Sequence, residues 1–308
     1  MKHLFIINPI AGSEDCAKKA EEEIRRVMPK AGEKWEAYHT IAPMDAMTKV
    51  RSEVEKYGEG LRVYACGGDG TLNECVNGVA EARGVAVTHV PLGSGNDFIK
   101  MFGEDRRLFS DLEKLIKGYT IKVDMINCNG RYAINICSVG IDARIGTQVH
   151  KYRLFKGKMR YALSLVVNFA KGIAHPMEVR ANGRHYSGDF SLVCACNGRF
   201  YGSMFEPVPD ADPADGIIDF LLVDGVGRLK FLKLVGKYAK GRYREIDQIT
   251  HLRGEEMTII SDTEMVVNLD GEAIYAKEVC LNLLPGVLNF IVPHGIKLPD
   301  GFTVNISN

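Results

Sequence analysis

Leu61-Arg62-Val63-Tyr64-Ala65-Cys66 runs directly into Gly67-Gly68-Asp69-Gly70-Thr71-Leu72-Asn73-Glu74. An apolar run that ends in a cluster of glycines reads as a buried strand feeding a tight loop. Beyond the loop, Leu72, Cys75, Val76 and Val79 recur at helical spacing. The junction therefore leaves backbone N–H groups at a helix N-terminus with no bulky side chain over them, where a phosphate is favoured. Asp69 is the unusual member. An acid in a phosphate cradle makes sense when a cation or a hydroxyl lies between the two negative groups.

Two further stretches repeat the arrangement. Leu4-Phe5-Ile6-Ile7 leads into Asn8-Pro9-Ile10-Ala11-Gly12-Ser13, then a helical pattern through Ala17, Ala20, Ile24 and Val27. Val85 to Val90 leads into Pro91-Leu92-Gly93-Ser94-Gly95-Asn96-Asp97-Phe98. Strands that each end in a Gly/Asn/Ser turn before a helix describe a parallel α/β sheet with its loops along one edge, where such sheets bind ligands. Trp35 to Thr40 reads as another strand of this sheet, Ala46 to Tyr57 and Leu108 to Ile116 as helices. None of the loops fits the Walker or the dinucleotide template.

These residues resemble a family. Asn8-Pro9-x-x-Gly12, Gly67-Gly68-Asp69-Gly70-Thr71 with Asn73-Glu74, and Pro91-Leu92-Gly93-Ser94-Gly95-Asn96-Asp97 look like the three nucleotide loops of the diacylglycerol kinase catalytic-domain family. That family includes soluble bacterial lipid kinases and the sphingosine kinases, and is distantly related to NAD kinases. Gly-Gly-Asp-Gly-Thr is shared with NAD kinases, whereas the other two loops favour the lipid-kinase branch. The resemblance implies an α/β N-terminal Rossmann-like nucleotide domain plus an antiparallel β-sandwich C-terminal domain. It implies ATP contacts from Asn8, Pro9, Ile10, Ala11, Gly12, Gly67, Gly68, Asp69, Gly70, Thr71, Leu72 and Asn73, with Thr40 and Ser94 beside them.

Composition is compatible with this and excludes other classes. The chain has 308 residues, 46% of them hydrophobic, enough for two domains, and its formal net charge is zero. Zero net charge argues against a nucleic-acid binder. Leu4 to Ile7 is too short for a signal peptide, and Tyr161 to Ala170 is broken by Ser164 and Asn168 and too short to span a membrane. Eight cysteines without a Cys-x-x-Cys pair, with Cys66, Cys137, Cys194, Cys196 and Cys280 inside apolar strands, suit buried thiols in a cytoplasmic protein.

Near residue 125 the pattern changes from alternating strands and helices to paired β segments. Asn129-Gly130 sits between the β segments Val123–Cys128 and Tyr132–Cys137, and Asn182-Gly183 between Glu178–Ala181 and Arg184–Ser187, the pattern of a two-residue hairpin. Further strands are predicted at Ser191–Cys196, Ile217–Val223, Thr258–Ile260, Met265–Leu269, Val279–Leu284 and Val287–Val292, and helices at Lys158–Lys171 and Arg228–Lys240. The family resemblance returns the last strands to the first domain. The expected division is residues 1–127 and 286–308 as the nucleotide domain and 128–285 as the β-sandwich domain.

The second half carries two acid clusters. Asp210-Ala211-Asp212-Pro213-Ala214-Asp215-Gly216-Ile217 precedes a strand, and clustered carboxylates suit a hard cation such as Mg²⁺, although Asp also simply favours turns. The resemblance makes Asp212, Asp215 and the Ile217 carbonyl ligands of a structural Mg²⁺ linked through water to Asp69. Asn268-Leu269-Asp270-Gly271-Glu272 places two acids at a strand end, where a carboxylate can take the proton of an attacking hydroxyl. The family match makes Glu272 the acceptor with Asp270 close beside it; the spacing alone leaves open which acid is the base. Asp69 would stand near a second, ATP-borne Mg²⁺, and positive charge at the phosphates would come from Lys158 or Arg160.

Two segments combine basic and apolar residues as membrane-docking elements do: Lys151–Tyr161, and Arg228–Arg244 with Lys230, Lys233, Lys237 and Lys240. The second equally fits a helix packed on the sandwich with its lysines in water. The reading is an ATP- and Mg²⁺-dependent lipid kinase in the cytoplasm, peripherally associated with the membrane and acting most directly on diacylglycerol. It has no nucleic-acid partner and no transmembrane segment, and a homodimer is compatible with it. The alternatives are an NAD kinase-like enzyme acting on a soluble hydroxyl, and a non-catalytic nucleotide-binding module.

Overall fold

β1 (Lys2–Ile7), β2 (Lys34–His39), β3 (Leu61–Gly67) and β4 (Ala86–Pro91) lie side by side in the order β2-β1-β3-β4, all parallel. Every residue of β1 and β3 is buried, as both faces of a parallel sheet are covered. The structure is a computed structural model that describes residues 1–13, 15–144, 172–299, 302 and 304–305. It divides into two compact units, one of Met1–Met125, Pro213–Asp215 and Leu284–Asn308, the other of Ile126–Asp212 and Gly216–Leu283.

In the first unit the register decides where the loops emerge. Ile7 is level with His39 and with Cys66, and Cys66 with Val90, so the strands end together and Asn8, Thr40, Gly68 and Leu92 start at one edge. α1 (Cys16–Ala31) covers the sheet with Ala17, Ile24, Val27 and Met28 and stops at left-handed Gly32. α2 (Asp45–Tyr57) and α3 (Asp69–Val79) complete the cover. The helix predicted over Leu108–Ile116 is interrupted. A 3₁₀ run, Phe98–Ser110, ends at Asp111, whose carboxylate accepts Lys114 N–H at 3.1 Å and starts the short α4 (Leu112–Ile116). The end of β13 (Glu272–Val292) runs parallel to β4, with Asn289 opposite Ala86.

The second unit is antiparallel. β5 (Tyr119–Cys128) turns through Asn129-Gly130 into β6 (Arg131–Ala133), and β8 (His175–Ala181) through Asn182-Gly183 into β9 (Arg184–Cys196). All four turn residues have positive φ, the signature of the type I′ hairpin. β7 (Ile136–Gly140), β10 (Ile218–Asp224), β11 (Ile249–Gly254) and β12 (Glu256–Leu269) complete the framework. The second half of β9, Phe190–Cys196, and most of β10, Ile218–Leu222, are buried on both faces. Val193, Ala195, Phe220 and Leu222 enter one core with Val179, Met257 and Leu281; Leu192, Cys194 and Leu221 enter another with Tyr201, Tyr238 and Tyr243. That double burial explains the continuous apolar runs Leu192–Cys196 and Phe220–Val223 within them. The second core lies under α5 (Arg228–Tyr238).

The sequence reading differs in detail. β11, Ile-Thr-His-Leu-Arg-Gly, has no strong apolar pattern and was not predicted. The two segments predicted between Thr258 and Leu269 form one strand with an irregularity between Ile260 and Met265, and the last two predicted strands are one. Cys280 is half-buried, whereas Cys66, Cys137, Cys194 and Cys196 are buried, and all eight cysteines are free. The helix expected at Lys158–Lys171, the basic segment Lys151–Tyr161 and the cations Lys158 and Arg160 lie outside the described residues. Among the described residues no helix is long and apolar enough to cross a membrane.

Candidate active site

Three loops lock together at the sheet edge of the first unit. Asn8 donates from Nδ2 to the Thr71 hydroxyl at 3.1 Å, while its Oδ1 accepts Ile10 N–H at 3.1 Å. The Gly67 carbonyl accepts Leu92 N–H at 2.8 Å, Gly93 N–H at 3.1 Å and His89 Nε2 at 3.0 Å. Asp69 accepts Asn96 N–H at 2.8 Å and Asp97 N–H at 2.5 Å. Glycine is required where the loops touch. A Cβ on Gly93 would stand 2.6 Å from Gly68 Cα, and one on Gly12, whose φ is +73°, would stand 2.3 Å from the Leu92 carbonyl oxygen.

α3 begins without a side-chain cap at Gly68, and its first intrahelical bond, Leu72 N–H to Gly68 O, comes only after Asp69, Gly70 and Thr71. Early N–H groups at a helix end call for an acceptor, and an anion is favoured there. Pro9 and Ile10 are exposed, Ser94 is exposed, and Thr40 is half-buried at the end of β2. Thr71, Leu72 and Asn73 are buried: Thr71 is bonded to Asn8, and Asn73 accepts from Asn77 Nδ2 at 2.9 Å. The Asn73 Oδ1 also accepts from Asn77 Nδ2, at 3.2 Å, so this side chain bonds the next turn of its own helix. Ala11 is likewise nearly buried.

Burial raises the Asp69 carboxyl above the usual carboxylate range, and the nearby Asp97 carboxylate adds to it, against the two backbone donors. Asp97 forms an ion pair with Lys100 at 2.5 Å. Asp97 and Lys100 are thus part of this acidic face, although the sequence reading assigned them no role. Asp97 was legible within the Gly-Ser-Gly-Asn-Asp loop, whereas Lys100 follows from the turn of the 3₁₀ run. Glu74 was equally unassigned. It accepts the Met44 and Ala46 N–H groups at 2.9 and 3.1 Å and so fixes the start of α2.

The second unit carries the other acids. Asp270 and Gly271 have φ of +50° and +99° in a two-residue turn closed by the Leu269–Glu272 pair. Asp270 accepts three backbone N–H groups: Ile134 at 2.8 Å, Asn135 at 3.1 Å and Ile136 at 2.7 Å. These donors belong to the break between β6 and β7, which is also held by Asn197 Nδ2 on the Ile134 carbonyl at 2.7 Å. Behind the turn, Asn268 accepts Gly271 N–H at 2.9 Å and donates to Ser138 Oγ at 3.3 Å, and Ser138 donates to Asp142 at 2.6 Å. Burial raises the Asp142 carboxyl. No sequence signal marked Ser138 or Asp142, because the bond that ties this pair to the turn, Asn268 to Ser138, spans 130 residues of the chain.

Asp212 is half-buried, Asp215 exposed and Ile217 half-buried. The preceding backbone is fixed by Arg199 Nε on the Ala211 carbonyl at 2.8 Å. Asp210 is paired with Arg244 at 3.0 Å. Among the described residues no group of three or more His, Cys, Asp or Glu side chains is gathered as a metal site. Two carboxylates and a carbonyl are nevertheless the all-oxygen chemistry that a hard cation takes.

Residues 2–128 match the model of the diacylglycerol kinase catalytic domain, and residues 135–292 that of the YegS C-terminal NAD kinase beta sandwich-like domain. A diacylglycerol kinase of Staphylococcus carnosus is 26% identical over 270 residues, covering 87% of both chains. That of Staphylococcus saprophyticus is 25% identical over 270 residues, 87% of this chain and 88% of its own. The crystal structure of a diacylglycerol kinase from Bacillus anthracis superposes with a TM-score of 0.69 over 96% of this chain and 98% of its own, at 23% identity, a likeness of fold. With an α/β nucleotide-type domain followed by a β-sandwich, and matched along nearly its whole length, the chain belongs to the diacylglycerol kinase family of lipid kinases.

Proposed function

We propose that this protein transfers the γ-phosphate of ATP to a lipid hydroxyl, with diacylglycerol as acceptor and phosphatidate as product, while peripherally bound to a membrane. The observation that carries the reading is the uncapped N-terminus of α3 among three interlocked glycine loops, in a chain of the lipid-kinase family. Phosphoryl transfer asks little covalent chemistry of the protein; it asks for positioning and neutralisation of charge. The Asn8–Gly12 loop, through the Gly12 N–H, and the Gly67–Thr71 loop, through the backbone N–H groups that open α3, hold the phosphates, and Thr40 and Ser94 contact the nucleotide. In this assignment residues 1–127 and 286–308 serve ATP and 128–285 serve the lipid.

Asp69 stands at the phosphate end and ties the loops together. Mg²⁺, when bound, offsets phosphate charge; Asp212, Asp215 and the Ile217 carbonyl would hold one such ion. Glu272 takes the proton as the lipid oxygen forms its bond to phosphorus and ADP leaves. Asp270 is the positioning acid, since its two oxygens already carry three backbone N–H groups.

The test is ATP consumption with Mg²⁺ and diacylglycerol, sphingosine or another lipid alcohol in vesicles, with NAD as the soluble acceptor. Turnover is expected with diacylglycerol, and Glu272→Gln is expected to lower it by about 10²–10⁴-fold while ATP still binds. Turnover with NAD, or an active Glu272→Gln enzyme, would sink this assignment.

A further inference from the structure

We infer that α5 is the surface that docks this protein on an anionic phospholipid bilayer, an inference that rests on the lipid-kinase reading above. α5 packs with one stripe only. Phe231, Leu234 and Val235 are half-buried and Tyr238 is buried on the second core, at the spacing of one helix face. The opposite stripe leaves Leu229 78% and Leu232 53% exposed. Scattered exposed leucines need no explanation, but these two are three residues apart and share a face.

A third large apolar side chain belongs to the same neighbourhood. Met204, 67% exposed, sits in the turn closed by the Tyr201–Phe205 bridge. The Phe205 ring lies 6.2 Å from that of Tyr238, and Glu206 N–H bonds the Ala239 carbonyl at 3.1 Å, so this turn abuts the C-terminal end of α5. At the N-terminal end a recess of about 670 Å³ is lined by Ile173, Val226, Leu229 and Lys230.

Charge selects the occupant. The segment Arg228–Lys240 carries Arg228, Lys230, Lys233, Lys237 and Lys240 and no acidic residue, in a chain whose formal net charge is zero. Lys230, Lys233 and Lys240 are exposed around the two leucines. Apolar side chains ringed by lysines are the arrangement that enters an interface while pairing with anionic headgroups. A neutral protein partner would gain nothing from the lysines. Lys237 also lies 3.5 Å from Glu245, an exposed pair that a polyanionic surface can displace at little cost.

The experiment is sedimentation with vesicles of phosphatidylcholine alone or with phosphatidylglycerol, alongside activity on diacylglycerol in the vesicles and in uncharged detergent micelles. The wild type is expected to bind the phosphatidylglycerol vesicles and to release them at high salt. Leu229→Glu/Leu232→Glu is expected to lose binding by tenfold or more, and Lys230→Gln/Lys233→Gln by about 30-fold, both keeping micellar activity. Both pairs are exposed, so the lysine variant decides the matter if the leucine variant misfolds. Unchanged vesicle binding in a folded variant would overturn the inference, as would equal wild-type binding to neutral vesicles. A leucine variant that loses self-association but keeps vesicle binding would make the face a dimer contact instead. Loss of vesicle binding in the variants, with a wild type inactive on micellar diacylglycerol, would leave docking in place and remove the substrate assignment.

Discussion

His89 is wholly buried in β4, where its Nε2 meets the Gly67 carbonyl that also anchors Leu92 and Gly93. Burial pushes the ring down to about 4, outweighing that carbonyl and the Asp97 charge. The folded ring is therefore neutral at pH 7 and donates to Gly67. Below about pH 6.5 the unfolded ring takes a proton that the folded ring refuses, so stability is complete above that value and is lost as pH falls toward 4. The loss attributable to this one ring approaches about 3 kcal/mol. Urea midpoints measured from about pH 7.5 to about pH 4.5 should fall more steeply for the wild type than for His89→Gln. Parallel curves would refute the assignment. The position is legible in sequence as a His in an apolar run, but its bond partner comes from the neighbouring strand and is not.

The glycine loops show how an element can be read from sequence while its packing is not. Strand, turn and helix were all apparent around Gly67–Glu74, because the glycine cluster ends the apolar run and helical spacing follows. That Gly93 lies against Gly68 depends on β3 and β4 being neighbours in register. Gly93→Ala should force the third loop away from the second, since 2.6 Å is too close for a Cβ and a backbone carbon. ATP affinity is expected to drop about tenfold, measured by calorimetry, with a smaller change in melting temperature. Equal affinity would mean that the two loops do not act together on the nucleotide. The converse failure is β11, whose mixed sequence becomes a strand only because β10 offers it an edge.

For the molecule as a whole, the nucleotide contacts are assigned to one unit and the acids Asp270 and Glu272 to the other. ATP with Mg²⁺ should then slow amide exchange in Asn8–Gly12, Gly67–Asn73 and Gly93–Asp97, leaving the Asn182-Gly183 hairpin unchanged. At 100 times Kd it should add about 2.7 kcal/mol to stability. Protection confined to the β-sandwich would contradict the assignment. Zero net charge, read at the start as neutrality, conceals a local imbalance: α5 is entirely basic on its charged positions.

Local pattern was enough for the α/β-then-β architecture, the type I′ hairpins and the family, because period, glycine punctuation and loop motifs are properties of adjacent residues. What depended on the fold was long-range. The three N–H groups on Asp270, the Asn268–Ser138–Asp142 chain and the Asp69 bonds to the third loop each join residues far apart in sequence. Asp-Gly announces a turn from sequence alone. Only tertiary structure shows that this turn's carboxylate accepts three backbone N–H groups from the break between β6 and β7.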